Sequence, residues 1–92
     1  MPYIIKPSNQ FKRDLKKAHR QGRVLHKLYF VIDSLAAGEP LPERFYNHSL
    51  IGNYKGCSEC HIEPDWLLIY EFVEPEHALI LDRLGSHSEL FG

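Results

Sequence analysis

The chain has 92 residues, of which 43% are apolar and 25% are charged, and its formal net charge is −1. These values are ordinary for a globular protein, exclude a disordered or fibrous chain, and predict a single domain over residues 1–92. The longest apolar runs have five residues, whereas a membrane span needs about 18 or more. Two cysteines and the lack of an apolar signal segment after Met1 predict a cytoplasmic protein that does not contact membranes.

The small net charge hides an uneven distribution along the chain. Residues 1–30 carry eight Lys and Arg against a single Asp, which gives +7. Residues 31–92 carry three Lys and Arg against eleven Asp and Glu, which gives −8. Such asymmetry is typical either of a basic element that faces a polyanion or of a solvated amphipathic helix, and charge alone leaves both interpretations open.

The predicted elements begin with a short strand at Tyr3-Ile4-Ile5. Ser8 or Asn9 then caps a first helix, because a short polar side chain accepts hydrogen bonds from the N–H groups of the first turn. Gly22 is predicted to end this helix. Its apolar stripe is Phe11, Leu15 and Ala18, and its basic surface is Lys12, Arg13, Lys16, Lys17 and Arg20.

A second amphipathic helix follows after a short connection, which predicts an antiparallel helical hairpin. Its apolar stripe consists of Val24, Leu25, Leu28, Ile32 and Leu35. Gly38 and Pro40 are predicted to end it. Residues 38–56 are then predicted to form a loop, because this segment contains Pro40, Pro42, Gly52 and Gly56.

Three strand patterns follow the loop, at Cys57–Glu63, Trp66–Val73 and His77–Leu84, with turn residues between them. Trp66–Tyr70 is apolar on both faces, so we expect it in the central strand. An N-terminal strand, a helical hairpin and a three-stranded antiparallel meander predict an α+β fold, with the helices on one face of a mostly antiparallel sheet. The other face is left to carry a site.

The segment Cys57-Ser58-Glu59-Cys60-His61 has the C-x-x-C-H spacing by which c-type cytochromes attach haem. The only methionine is Met1, so no downstream methionine can serve as the axial ligand. A zinc site or a redox dithiol is a further candidate. In a regular strand, however, residues three apart point to opposite faces, which separates Cys57 from Cys60. We therefore interpret both as half-buried thiols and predict neither a metal nor a cofactor.

The sequence also contains three histidines and one carboxylate that form a candidate acid–base group. They are His48, His61, His87 and Asp65. Because imidazole titrates near neutral pH, two histidines can serve as general base and general acid without a metal. His61 ends one predicted strand and Asp65 lies across the following turn, so we expect them at the same end of the sheet. Each histidine alone is also compatible with a surface or capping role. The histidines expected to be structural or solvated are His19, His26 and His77.

The last residues include the apolar pair Leu90 and Phe91. Chain termini usually fray unless they are held by contacts. An apolar terminus therefore predicts that both side chains dock on the rest of the protein, either by packing at the edge of the core or by shaping a site.

Three longer motifs carry a resemblance to a known family. They are His48-Ser49-Leu50-Ile51-Gly52, the segment Glu59–Tyr70 and the segment Leu81–Phe91. Together they resemble the YafQ branch of the RelE/ParE toxin superfamily, which comprises small bacterial toxins of type II toxin–antitoxin systems. The resemblance covers essentially the whole chain and implies a RelE-like fold.

The resemblance also implies an activity: a metal-free endoribonuclease that cuts mRNA in the ribosomal A site and so inhibits translation. In this reaction a 2′-hydroxyl attacks the adjacent phosphorus and leaves a 2′,3′-cyclic phosphate. By motif position the catalytic residues are His48, His61, Asp65 and His87, and the residues that shape the site or contact phosphate are Trp66, Arg83 and Phe91. Our assignment makes His87 the general acid and Asp65 or His61 the base, with His48 in support.

One departure from the family pattern concerns charge near the site. Many relatives carry an aromatic residue and then Arg before Glu-Cys-His, where this chain has Cys57 and Ser58. The loss of that Arg either lowers activity or is compensated by Arg83 and Lys55, since an Arg fork pairs well with phosphate oxygens.

The resemblance further implies partners. We expect a cognate antitoxin of ribbon-helix-helix, DinJ-like type that wraps the toxin in a complex with two copies of each chain and alone contacts operator DNA. The ribosome and mRNA are the other expected partners. The residues expected to contact RNA or the antitoxin are Lys12, Arg13, Lys16, Lys17, Arg20 and Lys55. The alternative is a non-catalytic RelE/ParE-fold toxin that acts by binding, as a gyrase-type inhibitor does.

Overall fold

A computed structural model of the chain describes residues 1–50 and 56–92; Lys55 and Gly52, which the sequence singled out, lie outside them. The described elements are β1 (Ile4–Pro7), α1 (Asn9–Arg20), α2 (Leu25–Ala36), a 3₁₀ turn (Glu43–Phe45), β2 (His48–Ser49), β3 (Ser58–Glu63), β4 (Trp66–Val73), β5 (Ala78–Gly85) and α3 (His87–Phe91). None of the described helices is long and apolar enough to cross a membrane.

The strands form one mixed sheet in the order β1-β5-β4-β3-β2. β1 lies parallel to β5, whereas the other neighbours are antiparallel. This arrangement confirms the predicted α+β fold and the central place of β4. The prediction of a loop throughout 38–56 is wrong at the 3₁₀ turn and at β2. Both elements have only two or three residues, which is too short for a periodic pattern to develop.

Helix α1 begins at the cap that the sequence predicts. The Ser8 hydroxyl accepts a hydrogen bond from the Phe11 N–H at 2.9 Å and donates one to the Asp82 carbonyl of β5, also at 2.9 Å. Gly22 follows the helix with φ of 74°, a conformation that costs glycine little. The Ser8 hydroxyl therefore links the start of α1 to β5, the strand that precedes α3.

The buried stripe of α1 contains a carboxylate that the sequence does not predict. Asp14 is 9% exposed, and its Oδ2 accepts hydrogen bonds from the Leu84 N–H at 3.0 Å and from Arg83 Nε at 2.9 Å. Leu15, predicted in the stripe, is only partly buried. β1 ends at Pro7, so it provides no partner for this part of β5. The Asp14 carboxylate accepts the hydrogen bond of the Leu84 N–H in place of a strand.

Apolar side chains cover both faces of the sheet. The face beneath α1 and α2 holds the larger core, which includes Phe11, Leu28, Val31, Leu35, Trp66, Leu68, Leu79 and Leu81. The opposite face holds Leu67, Ile69 and Leu90. The docking prediction is therefore confirmed for Leu90, whereas Phe91 belongs to neither core and is 48% exposed.

The two cysteines lie on opposite faces of the sheet, as the alternation of a strand requires. Cys60 is fully buried in the larger core, and this burial raises its pKa to about 12. Cys57 packs on the other face against Leu67 and Ile69. The interpretation of half-buried thiols is correct for Cys57 and wrong for Cys60, which is completely enclosed. The two thiols of the C-x-x-C-H segment do not face a common ligand.

Candidate active site

One half of the candidate site forms where α3 begins. Ser86 caps this helix, and Glu89 closes a capping box by accepting a hydrogen bond from the Ser86 N–H at 2.8 Å. The cap fixes His87 at the first position of α3. There the carboxylate of Asp65, in the turn between β3 and β4, accepts hydrogen bonds from the His87 N–H at 2.9 Å and from its ring Nδ1 at 2.7 Å.

The hydrogen bonds from His87 hold the pKa of Asp65 below its ordinary value. The backbone N–H contributes most, followed by the ring, and the charge of Arg23 adds to the effect. Asp65 is therefore an anion that orients the His87 imidazole through Nδ1.

The other half of the site lies on β3. Cys60 and Ile62 point into the larger core, so Glu59 and His61 project from the opposite face. Across the short β2–β3 pair, His48 Nε2 lies 2.8 Å from Glu59 Oε2. Glu59 is 7% exposed, and its second oxygen is buried without a hydrogen-bond partner among the described residues.

His61 joins the two halves. Its ring centroid lies 5.5 Å from that of His87 and 6.4 Å from that of His48. The structure therefore brings together all four predicted catalytic residues, because Asp65 is bonded to His87. The three imidazoles form a row along one end of the sheet, in which the His61 and His87 rings meet edge to face.

The residues predicted to shape the site are placed differently from one another. The Phe91 ring lies 6.4 Å from the His87 ring. Trp66 is 1% exposed and belongs to the larger core, with the Arg23 guanidinium 5.5 Å from its ring. Arg83 is paired with Asp14, so α1 fixes the orientation of its guanidinium. Of these three, Phe91 lies against a ring of the histidine row.

The predicted contact residues of α1 are all exposed. They are Lys12, Arg13, Lys16, Lys17 and Arg20. Lys17 forms a salt bridge with Glu89 of α3, which links the basic surface to the helix that carries His87. The hydrogen bonds from Lys17 and from the Ser86 N–H lower the pKa of Glu89 to about 2.

Among the residues that the structure describes, two groups of side chains could hold a metal ion. The ligand atoms of His48, Glu59 and His61 lie within 4.8 Å of one another, as do those of Cys57, Glu71 and Asp82. Two imidazoles and a carboxylate suit zinc or copper. The first group therefore combines acid–base and metal-binding capacity in the same atoms.

Two residues of the site are missing from the sequence-based prediction. Glu59 lies two positions before His61, so the alternation of a strand places both on one face, and that signal was available. Tyr46 lies with its ring centroid 5.6 Å from that of His61. No pattern marks Tyr46, because it follows a 3₁₀ turn that the sequence does not predict.

Comparison with known proteins agrees with the motifs. Residues 3–92 match the family described as bacterial toxin of type II toxin–antitoxin system, YafQ. The mRNA interferase toxin YafQ of Escherichia coli K12 is 36% identical over 89 residues, which are 96% of this chain and 95% of that protein.

Solved structures agree as well. The E. coli DinJ–YafQ toxin–antitoxin complex contains a chain with a TM-score of 0.90 and 34% identity, with both chains covered completely. A metal-bound toxin from Helicobacter pylori gives a TM-score of 0.92 and 44% identity over 99% of this chain and 100% of that one. With its fold and nearly its full length matched, the chain belongs to the YafQ family of toxins from bacterial type II toxin–antitoxin systems.

Proposed function

We propose that this protein is an mRNA interferase, a ribosome-dependent endoribonuclease that cuts mRNA in the A site and stops translation in the cytoplasm. The observation that carries the proposal is the row of three imidazoles at one end of the sheet, with His61 and His87 5.5 Å apart and His87 oriented by Asp65. The activity named for the E. coli relative supports it.

In the proposed reaction, the 2′-hydroxyl of one nucleotide attacks the adjacent phosphorus. One group takes the hydroxyl proton, and another protonates the leaving 5′-oxygen, so the products are a 2′,3′-cyclic phosphate and a 5′-hydroxyl. General acid–base catalysis of this kind contributes roughly 10²–10⁴-fold for each group. The reaction needs no metal, because imidazoles supply both transfers.

We assign the general acid to His87 and the general base to His61. Asp65 holds Nδ1 of His87, which leaves Nε2 to exchange a proton with the substrate. Asp65 itself is a weak base, because its pKa is lowered by the hydrogen bonds from His87. His61 is the remaining acceptor next to His87, and Glu59 positions His48 for a supporting contact.

Arg83 is our candidate for phosphate contact. Its partner Asp14 orients the guanidinium but leaves the side chain 26% exposed. An Arg fork can bind a carboxylate and a phosphate at once through different N–H groups. Ser58, which stands where many relatives have Arg, begins β3, and the alternation of the strand places its side chain on the face of Cys60 and Tyr70, opposite Glu59 and His61.

We further propose that the chain is neutralised by a ribbon-helix-helix antitoxin in a complex with two copies of each chain. The E. coli relative was crystallised with the antitoxin DinJ. The exposed cations of α1 give this chain a basic surface that suits an acidic antitoxin segment or ribosomal RNA.

Cleavage of mRNA on programmed ribosomes tests the proposed function. We expect the wild-type chain to cut within the A-site codon and His87→Gln to lose at least about a hundredfold in rate. His77→Asn is the matched control, because His77 lies at the opposite end of β5 and asparagine tolerates its φ of 54°. Growth arrest with intact mRNA and relaxed DNA would instead identify the non-catalytic, gyrase-type alternative.

A further inference from the structure

A groove opens beside the histidine row, between α2, the 3₁₀ turn and the outer edge of β3. Its volume is about 870 Å³, and His48 and His61 form one of its walls. The other lining residues include Phe30, Arg44, Phe45 and Tyr46. A cavity of this size accommodates a nucleotide, since small-molecule sites in proteins measure roughly 300–1,000 Å³.

The groove is lined by aromatic rings that water can reach. Phe30 is 48% exposed and Tyr46 is 67% exposed. The buried ring of Phe45 lies 6.0 Å from the Phe30 ring and 4.7 Å from the Arg44 guanidinium carbon. Exposed rings next to an arginine are the arrangement on which unpaired nucleic-acid bases stack.

Tyr46 is held in an uncommon backbone conformation. Its φ is 44°, in the left-handed region that bulky residues rarely adopt and that costs about 1–3 kcal/mol. That conformation sets its ring edge-on against His61. Residues in such conformations concentrate at functional sites. The backbone of Tyr46 thus presents an exposed ring next to the proposed general base.

The charges of the groove favour a polyanion. Lys27, Arg44 and His26 line it, and the acidic lining residue is Glu63, whose carboxylate lies 3.5 Å from Lys27 Nζ. In the described part of the chain, β2 pairs only with Ser58 and Glu59 of β3. Among the described residues, the edge of β3 from His61 onward therefore borders the groove instead of another strand.

We propose that this groove binds an unpaired base of the mRNA, next to the phosphate that is cut, by stacking it on Tyr46 and Phe30. The inference rests on the proposed ribonuclease function and adds a base-binding subsite to it. Because the groove is continuous with the histidine row, a base held there fixes the position of the neighbouring phosphate. Positioning of this kind is a large part of enzymatic rate enhancement.

The test combines variants of the chain with removal of single bases from the substrate. Tyr46→Asn removes the ring and tolerates the left-handed backbone, Tyr46→Phe retains the ring, and Phe30→Leu shortens the opposite wall. Tyr29→Leu is the matched control, because Tyr29 is also on α2 and 48% exposed but lines a separate cavity with Leu15. The substrates are programmed ribosomes whose mRNA is intact or abasic at one nucleotide flanking the cut.

On intact mRNA we expect Tyr46→Asn and Phe30→Leu to lose roughly tenfold to a hundredfold in kcat/KM, the usual worth of one stacked base, while Tyr46→Phe and Tyr29→Leu stay near wild type. One of the abasic mRNAs lacks the base that stacks in the groove. On that mRNA we expect kcat/KM of the wild type to fall by a similar factor, whereas kcat/KM of Tyr46→Asn stays at its value on intact mRNA. Two results would overturn the proposal. In the first, the loss of kcat/KM from Tyr46→Asn adds to the loss from an abasic nucleotide at every position tested. In the second, neither change lowers kcat/KM. Unchanged cleavage together with weaker antitoxin binding would assign the groove to a peptide partner.

A separate binding measurement distinguishes this inference from the proposed function. A 2′-O-methyl RNA trinucleotide cannot be cut, and we expect it to shift the NMR signals of the Tyr46 and Phe30 rings, whereas an abasic trinucleotide does not. If the wild-type chain does not cut ribosome-bound mRNA, the proposed function is wrong. The NMR titration still tests whether the groove binds a base, because it does not depend on cleavage. Equal shifts with both trinucleotides would refute base binding.

Discussion

The carboxylate of Asp65 accepts two hydrogen bonds from His87, from the backbone N–H at 2.9 Å and from ring Nδ1 at 2.7 Å. These two bonds join the turn between β3 and β4 to the first residue of α3. They fix both the start of the helix and the orientation of the imidazole. In the proposed reaction Asp65 therefore acts through His87, as a positioning residue.

Asp65→Asn should separate this positioning from folding. An amide can still accept a bond from the His87 N–H, but it does not stabilise an imidazolium, so we expect cleavage on programmed ribosomes to fall roughly 10²–10⁴-fold. The melting temperature should change little, because the pair is exposed and water screens the interaction. Single-turnover cleavage and thermal melting by circular dichroism measure the two effects. A loss of activity matched by a loss of folded protein would contradict the assignment.

Glu89→Gln should remove an acid-sensitive part of the stability. Lys17 and the Ser86 N–H lower the pKa of Glu89 to about 2 in the folded chain, below its ordinary value. The ionised form therefore stabilises the fold above the ordinary pKa of glutamate, and that contribution is lost as the pH falls toward 2. We expect the variant to be less stable than wild type by about 0.3–1 kcal/mol at pH 7, because glutamine retains the capping bond but loses the ion pair with Lys17 and the favourable charge at the start of α3.

The same difference should shrink steadily as the pH falls below about 4.3, the ordinary pKa of glutamate. Urea unfolding at several pH values checks this dependence, and Glu76→Gln is a control at an exposed turn position. A pH-independent difference between Glu89→Gln and wild type would mean that the side chain acts by packing and not by charge.

Much of this architecture can be predicted from the sequence, because its signals are local or periodic. Ser8 can be recognised as a cap, and the apolar run at Trp66–Tyr70 marks the central strand. The parallel pairing of β1 with β5 brings together segments about 74 residues apart, and no local pattern encodes it. Asp14 could not be predicted as buried, because its partners Arg83 and Leu84 reach it only through that pairing.

The candidate site also combines features that the sequence predicts with features that it does not predict. The alternation of β3 and the turn at Asp65 already place His61 and Asp65 at one end of the sheet. The Glu59–His48 pair depends on β2, a two-residue strand without a periodic signal. Tyr46 depends on a left-handed residue after a 3₁₀ turn, where tertiary contacts override the preference of the residue.

Asp82→Asn should show the opposite pH dependence from Glu89→Gln. Burial, reinforced by the neighbouring Glu71 carboxyl, raises the pKa of Asp82 to about 6. The protonated form therefore stabilises the fold below the ordinary pKa of aspartate, and this contribution is lost as the pH rises through 6. We expect Asp82→Asn to be more stable than wild type at pH 8 and equal to it near pH 4.

Water screens these partly exposed carboxylates, so the gain at pH 8 should be on the order of 1 kcal/mol. Because the two carboxyls interact, Glu71→Gln should give a similar gain, and the double variant should gain less than the sum of the two. Thermal melts at pH 4 and pH 8 make the comparison. Equal effects at both pH values would show that the carboxyls do not repel one another in the folded chain.

Added zinc or copper should inhibit cleavage reversibly. The ligand atoms of His48, Glu59 and His61 are close enough to bind one ion, and the buried Glu59 Oε1 lacks a hydrogen-bond partner among the described residues. A bound ion would occupy the lone pairs that the proposed base uses, so we expect the metal-loaded chain to stop cutting mRNA on programmed ribosomes. Treatment of the chain with EDTA, removed by dialysis before the ribosomes are added, should restore cleavage. Because the proposed reaction uses imidazoles alone, the same treatment without added metal should leave the rate unchanged. Glu59→Gln should bind the metal more weakly by calorimetry, whereas Glu63→Gln, on the same strand, should bind it as wild type does. Loss of activity in the chain that was treated with EDTA and then dialysed would contradict the metal-free mechanism.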